Sequence, residues 1–226
     1  MLLKSRSSTT QQAKAPTQNK NTQNPDTLSV GVLKLSDDMK KIFDKTKETL
    51  NSDPCAIIAI DGMCASGKTT LAGHLSEEFG FETIHMDDFF LPFEMRSEER
   101  LSQCGGNVHY ERFIEEVVTS LKENKDFEYR IFDCSSGGYN RKRKIRHGRP
   151  VIIEGAYSLH PQIPDIYDLK IFLQISPEAQ LERIKMRNGD QALEVFKEKW
   201  IPFENNYFDT FGIREKCDII TEVKIK

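Results

Sequence analysis

The chain has 226 residues, 38% of them hydrophobic and 30% charged, enough to bury one substantial core. Its formal net charge of −3 gives no global electrostatic reason to expect nucleic acid or an anionic membrane as partner, and no apolar run approaches the roughly 18 to 20 residues that span a bilayer. Five cysteines (Cys55, Cys64, Cys104, Cys134, Cys217), odd in number and never spaced C-x-x-C, argue against a disulfide framework or zinc site, and with no apolar signal segment a soluble cytoplasmic protein is expected.

Residues 1–30 begin MLLKSRSSTTQQAKAPTQNKNTQNPD, rich in Ser, Thr, Gln, Asn and Lys and without an acid before Asp26. So little apolar surface cannot offset the entropy of ordering, and a disordered low-complexity tail is expected. Its basic, Ser-rich character also suits an organellar transit peptide. The folded domain is expected over 31–226. From Ser36, SDDMKKIFDKTKETLN sets Met39, Ile42, Phe43 and Leu50 at helical spacing behind a Ser or Asp cap. CAIIAI, starting at Cys55, is a short continuous apolar run of the kind that forms a strand buried on both faces.

That strand breaks into Gly62-Met63-Cys64-Ala65-Ser66-Gly67-Lys68-Thr69, a G-x-x-x-x-G-K-[ST] match. Average composition would produce it in a chain of this length on the order of one time in a hundred. The loop follows a strand and opens a helical pattern over Lys68 to Phe79, the context that phosphate binding requires. Successive backbone N–H groups, on through Thr70, form an anion nest at a helix N-terminus, and the glycines let the backbone approach phosphates closely. Lys68 is placed to reach the β and γ phosphates of ATP, and the Thr69 hydroxyl to ligate Mg²⁺.

ETIHM (Glu82 to Met86) reads as the next strand, with Asp87 and Asp88 at its carboxyl end. The interval from Phe89 to Arg149 exceeds what one crossover needs; it holds a helical pattern at Tyr110 to Leu121, the Gly and Ser clusters QCGGN and CSSGGYN, and a hairpin pattern. Within it YNRKRKIRHGRP crowds together Arg141, Lys142, Arg143, Lys144, Arg146 and Arg149, which reads as a solvated hairpin, a patch for an anionic substrate or polyanion, or a nuclear-localisation signal. PVIIE (Pro150 to Glu154) and LKIFLQI (Leu169 to Ile175) are further buried strands, the first ending on Glu154 in the place of a Walker-B acid. Helical patterns follow at Pro177 to Arg187 and Ala192 to about Phe208, then a last strand in CDIITEV (Cys217 to Val223). Aromatics at Phe196, Trp200, Phe203, Tyr207, Phe208 and Phe211 repeat at helical spacing and are assigned to the core.

Strands alternating with helices of this length predict right-handed βαβ crossovers and an α/β fold: a P-loop three-layer sandwich with a parallel five-stranded sheet, helices on both faces and a substrate-binding hairpin insertion. Parallel strands deliver their carboxyl ends to one edge, so Thr69, Asp87 and Glu154 are expected to converge on phosphates and metal. A GTPase would carry N-K-x-D, which ENKDF fails at its fourth position, and the D-x-x-G match at Asp209 to Gly212 lies near the C-terminus, beyond the strands that could present it.

The set IDGxxASGKTT, MDDFF, VIIEGAYSLHP and the arginines of LERIKMRNG resembles the uridine kinase group of P-loop nucleoside kinases, with phosphoribulokinase and pantothenate kinase as more distant kin. The resemblance runs from about Cys55 to Ile220. It implies that Asp87 stands beside the acceptor hydroxyl as base or aligning group, that Glu154 is the metal-associated carboxylate, and that Arg183 and Arg187 are lid arginines neutralising the transferring phosphoryl. It also places His109 where an acid usually contacts the ribose hydroxyls and Phe132 where a tyrosine often lies near the base. The same matching segments bring in Asp133 and, in Gly155-Ala156-Tyr157, Tyr157 as substrate candidates. The implied activity is ATP- and Mg²⁺-dependent phosphoryl transfer to a small metabolite, first of all the 5′-OH of uridine or cytidine. Another acceptor (pantothenate, a vitamin riboside, a sugar phosphate) and a non-catalytic ATP-binding regulatory module remain alternatives, and family members are often oligomeric.

Overall fold

The structure is a computed structural model that describes residues 36–123 and 125–222; the expected tail at 1–30 lies outside them. Its central sheet has the order β2-β5-β1-β6-β7, built from β1 (Ile57–Gly62), β2 (Glu82–His85), β5 (Val151–Glu154), β6 (Leu169–Leu173) and β7 (Ile219–Thr221). Every neighbouring pair in it is parallel, with Ile60 facing Glu154 on one side of β1 and Ile171 on the other. The remaining strands, β3 (Phe127–Asp133) and β4 (Gly138–Ile145), form the expected antiparallel hairpin, irregular between Ile131 and Asp133.

The apolar runs are continuous because both faces of the sheet are covered. Alternate residues of β1 serve different cores: Ile58 and Ile60 pack with Met39, Ile42, Leu71, Leu75 and Ile152, while Ala59 packs with Ile84, Phe113, Ile153, Phe172 and Tyr207. Helix α1 (Asp37–Ser52) and helix α2 (Lys68–Phe79) thus cover one face. The helix at 110–122 and the last helix cover the other. Burying one such Ile side chain contributes on the order of 1.5–3 kcal/mol, so truncating Ile58 or Ile60 would open the seam between sheet and helices.

Several boundaries differ from expectation for local reasons. Cys55 stays out of β1 because its amide donates to Asp53 Oδ1 (2.8 Å) in a turn after α1; the strand starts at Ile57, whose amide donates to Asp168 Oδ2 (2.8 Å). Strand β2 stops at His85, where Met86–Phe89 turns into a 3₁₀ helix. The last helical region runs over 190–211, longer than 192–208, with a π-helical stretch at Phe196–Trp200. Pro202 lies just past that stretch; lacking an N–H, it cannot continue the i→i−4 ladder, which accommodates it by loosening. Gly212, in the left-handed region at φ 55°, ends the helix.

A candidate phosphoryl-transfer site

The phosphate loop turns between β1 and α2 on two glycines that no other residue replaces easily. Gly62 has φ +136°, and a Cβ on it would stand 2.1 Å from the Leu173 carbonyl oxygen of β6, an impossible approach. Gly67, at φ +102°, begins α2. Between them Ala65 also takes a positive φ of 59°, so the loop curls back on itself. Lys68 folds over the loop, donating to the Gly62 oxygen (2.7 Å) and the Met63 oxygen (2.9 Å). Met63 in turn donates its amide to Leu173 (2.9 Å), which fixes the loop to β6.

The parallel sheet does bring the carboxyl ends together. A cavity of about 770 Å³ is lined by the loop (Cys64, Ala65, Gly67, Lys68, Thr69, Thr70), by Asp87, and by Glu154, Ala156 and Tyr157. Glu154, almost fully buried at the end of β5, accepts from Thr69 Oγ1 (3.1 Å) and pairs with His85 Nδ1 (2.5 Å). His85, the last residue of β2, had no place among the sequence candidates; a lone His at a strand end carries no spacing signal. Asp87 opens onto the cavity, and the surrounding protein pushes its carboxyl above the usual range, through loss of hydration first and then repulsion from Glu154, against the pull of Lys68.

A divalent ion fits the donors present. Thr69 Oγ1 and Glu154 Oε1, hydrogen-bonded at 3.1 Å, are a hydroxyl and a carboxylate oxygen on the cavity, the hard oxygen donors that Mg²⁺ would take. Among the described residues no cluster of three or more His, Cys, Asp or Glu could hold a metal ion.

The two helix arginines also reach the site. Arg183 Nη1 donates to the Ala65 oxygen (3.2 Å), Arg187 Nη2 lies 3.8 Å from Cys64 Sγ, and both line the cavity beside Phe196. The wall also includes Phe90, Arg96, Asn107, Cys134, Trp200 and Glu204, none of them expected at the site from the sequence. The ring of Phe90 lies 6.4 Å from that of Trp200. Phe196 and Trp200, both in the π stretch, line the cavity; the core assignment holds for Tyr207 and Phe208, both buried, and Phe196 and Phe211 pack against core clusters.

Other expected substrate residues lie off the cavity wall. Phe132 is buried against Phe93 and Tyr139 inside the hairpin layer. Asp133 spends its oxygens on Ser135 and Ser136 in the hairpin turn, and those bonds hold its carboxyl below the usual range. His109 precedes the helix at 110–122, donating its amide to the Phe89 oxygen (2.8 Å), and burial lowers the pKa of its ring. Asp88 also turns from the cavity: its Oδ2 accepts from Tyr129 of the hairpin (2.8 Å). The crowded basic residues are largely matched by acids, Lys142 by Glu128, Lys144 by Asp126, Arg146 by Glu82 and Arg143 by Asp88, and none lines the cavity.

Two acids beneath the loop were hidden in apolar patterns. Asp61, fully buried in β1, accepts from the amides of Gly62 (2.7 Å) and Leu159 (3.1 Å) and from the Tyr207 hydroxyl (2.8 Å); burial still drives its pKa upward. Glu204, on the last helix, accepts from the Cys64 amide at 2.7 Å. Burial pushes Cys64 itself up to about 11, so the thiol in the loop stays protonated.

A family model described as "AAA domain" (AAA_18) matches residues 58–200. Among curated proteins the chain is similar to a cytidylate kinase of Methanopyrus kandleri, 25% identical over 168 residues that cover 70% of this chain and 77% of that one. It is also similar to a uridine kinase of Haemophilus ducreyi, 28% identical over 142 residues that cover 56% of this chain and 64% of that one. A crystal structure described as a putative fructose transport system kinase from Silicibacter sp. TM1040 shares the fold, with a TM-score of 0.62, 20% identity, and coverage of 81% of this chain and 98% of that one. Among the described residues no helix is long and apolar enough to cross a membrane.

Proposed function

Because the chain belongs to the P-loop AAA domain family, in the company of proteins named for nucleoside and nucleotide kinases, we propose that it transfers the γ-phosphoryl group of ATP to a hydroxyl of a small metabolite, in the first place the 5′-OH of a pyrimidine nucleoside. The observation that supports this is the meeting of Lys68, Thr69, Asp87, Glu154, Arg183 and Arg187 on one cavity. Loop amides and Lys68 hold the phosphates, for which Lys68 gives up its bonds to the Gly62 and Met63 carbonyls. Thr69 and Glu154 hold Mg²⁺, and Mg²⁺ bound there supplies charge neutralisation on the phosphate oxygens. Asp87 aligns the acceptor hydroxyl and accepts its proton late in transfer, since the transition state is loose. Arg183 and Arg187 stabilise charge on the transferring group.

An ATP-consumption assay with Mg²⁺ across nucleosides, nucleoside monophosphates, vitamins and small sugars, run beside Lys68→Ala, tests this reading. Acceptor-dependent turnover that the variant lacks is the expected result. Nucleotide binding without turnover on any acceptor would favour a regulatory module instead.

A second acceptor class is favoured by Arg96. Its Nε donates to the Leu91 oxygen (2.7 Å) and its guanidinium lies 4.4 Å from the Phe93 ring centre, yet among the described residues it has no carboxylate partner while it lines the cavity. An unmatched guanidinium on the same cavity as the ring pair Phe90 and Trp200 suits an acceptor that joins a planar base to a phosphate, as cytidylate does. In the same assay, turnover on cytidine 5′-monophosphate in preference to cytidine selects this reading.

A further inference from the structure

The last helix sends two side chains back to the phosphate loop. Tyr207 donates to Asp61 at its base, and one turn earlier Glu204 Oε2 accepts the amide of Cys64, the third residue of the loop. Amides of such a loop converge on phosphate oxygens, so an anion belonging to the protein already sits on one of them. The mechanism above makes no use of this carboxylate, although it lines the same cavity as Lys68, Asp87 and the two helix arginines.

The groups acting on Glu204 come from every element packed around it. Lys68, at the start of α2, favours its charge, as does the Cys64 amide; Asp61 of β1 and Asp87 after β2 oppose it, and the Tyr157 phenol faces it from the segment after β5. Loss of hydration outweighs the others and lifts the carboxyl to about 7, so it stands near the midpoint of its titration at neutral pH. Nucleotide phosphates entering beside it add several negative charges, and like charge drives a carboxylate toward its neutral form.

We propose that Glu204 is a positioning residue that holds the Cys64 amide as a carboxylate while the loop is free, and takes up one proton from solvent when nucleotide phosphates bind. This rests on the reading of the loop as an ATP site. The neutral acid keeps a carbonyl oxygen for the Cys64 amide and gains an O–H that can donate to a phosphate oxygen, so repulsion is exchanged for a hydrogen bond. Phosphate binding and proton uptake at this position are then a single event, and nucleotide affinity falls as pH rises through neutrality, by up to about tenfold per pH unit.

Calorimetry of a non-hydrolysable ATP analogue with Mg²⁺, on the full chain slightly above neutral pH and in two buffers of different ionisation enthalpy, counts the protons taken up. The wild type is expected to take up most of one proton per nucleotide. Glu204→Gln keeps an oxygen for the Cys64 amide and is expected to lose that uptake and flatten the affinity profile; protons exchanged by the nucleotide or elsewhere on the protein cancel between the two proteins. Equal uptake in both overturns the proposal, and so does wild-type binding with no uptake, a result that requires no variant to fold. Binding without uptake leaves the ATP reading standing, whereas no nucleotide binding at all removes both.

Discussion

Asp87→Asn removes a charge and a proton acceptor from the cavity floor without altering side-chain size, so its effects on catalysis and on stability separate cleanly. Loss of a positioned base lowers turnover by roughly 10²- to 10⁴-fold, or about 2.7–5.5 kcal/mol of barrier. Stability moves the other way. The folded protein raises the Asp87 carboxyl above its ordinary 3.8, so its contribution is fully present below that value and is lost as pH rises through the folded one. At neutral pH the ionised carboxylate therefore costs stability, and Asn relieves the cost, modestly because water in the cavity screens the charge. The neighbouring Asp88→Asn is the control. Asp88 accepts from Tyr129 at 2.8 Å and lies 3.9 Å from Arg143 Nε, so weakening those contacts costs about 1 kcal/mol, a melting temperature lower by roughly 2–4 °C, and little turnover. Steady-state kinetics with the best acceptor, beside thermal melts of both variants, decide the matter. Full turnover in Asp87→Asn, or loss of turnover in Asp88→Asn with Asp87→Asn active, would refute the assignment of roles.

Glu154→Gln keeps an oxygen for Thr69 but loses the charge that holds an ion, so the Mg²⁺ concentration for half-maximal activity should rise roughly 10- to 100-fold, measured by titration with Mg²⁺ at fixed ATP. Tyr207→Phe takes one donor from the fully buried Asp61; losing a hydrogen bond to a charged group costs about 1.5–3 kcal/mol, which a chain of this size shows as a fall in melting temperature of roughly 3–12 °C. Replacing Arg141, Lys142 and Lys144 together by Ala should leave the acceptor KM unchanged, because none of them lines the cavity; a raised KM would return the hairpin to the acceptor site.

The parts legible in the sequence are those whose physics is local. A glycine-bounded loop between an apolar strand and a helix needs those residues in that order, and Asp87 and Glu154 announce themselves as acids closing apolar runs. The sheet could be assembled from runs that are apolar on both faces. Glu204 escaped because a single acid among the aromatics of KWIPFENNYF reads as the solvent side of an amphipathic helix, and only the fold lays that side on the loop. Asp61 reads in the sequence as part of the strand pattern, though its burial beneath the loop ties β1 to the last helix. The cavity wall outside the loop is least legible: Phe90, Arg96, Asn107 and Trp200 come from separate segments with no shared spacing, while the basic crowd in the hairpin is largely paired with acids from β2, β3 and their neighbours.

Trp200 is the chain's single tryptophan, and the π stretch places its indole on the cavity wall near the ring of Phe90. Its emission therefore reports on one place only. Anything that fills the cavity beside it changes the polarity around that indole, so intrinsic fluorescence gives an unlabelled readout of occupancy, usable for screening candidate ligands before any turnover is detected and for timing their arrival against that of the nucleotide.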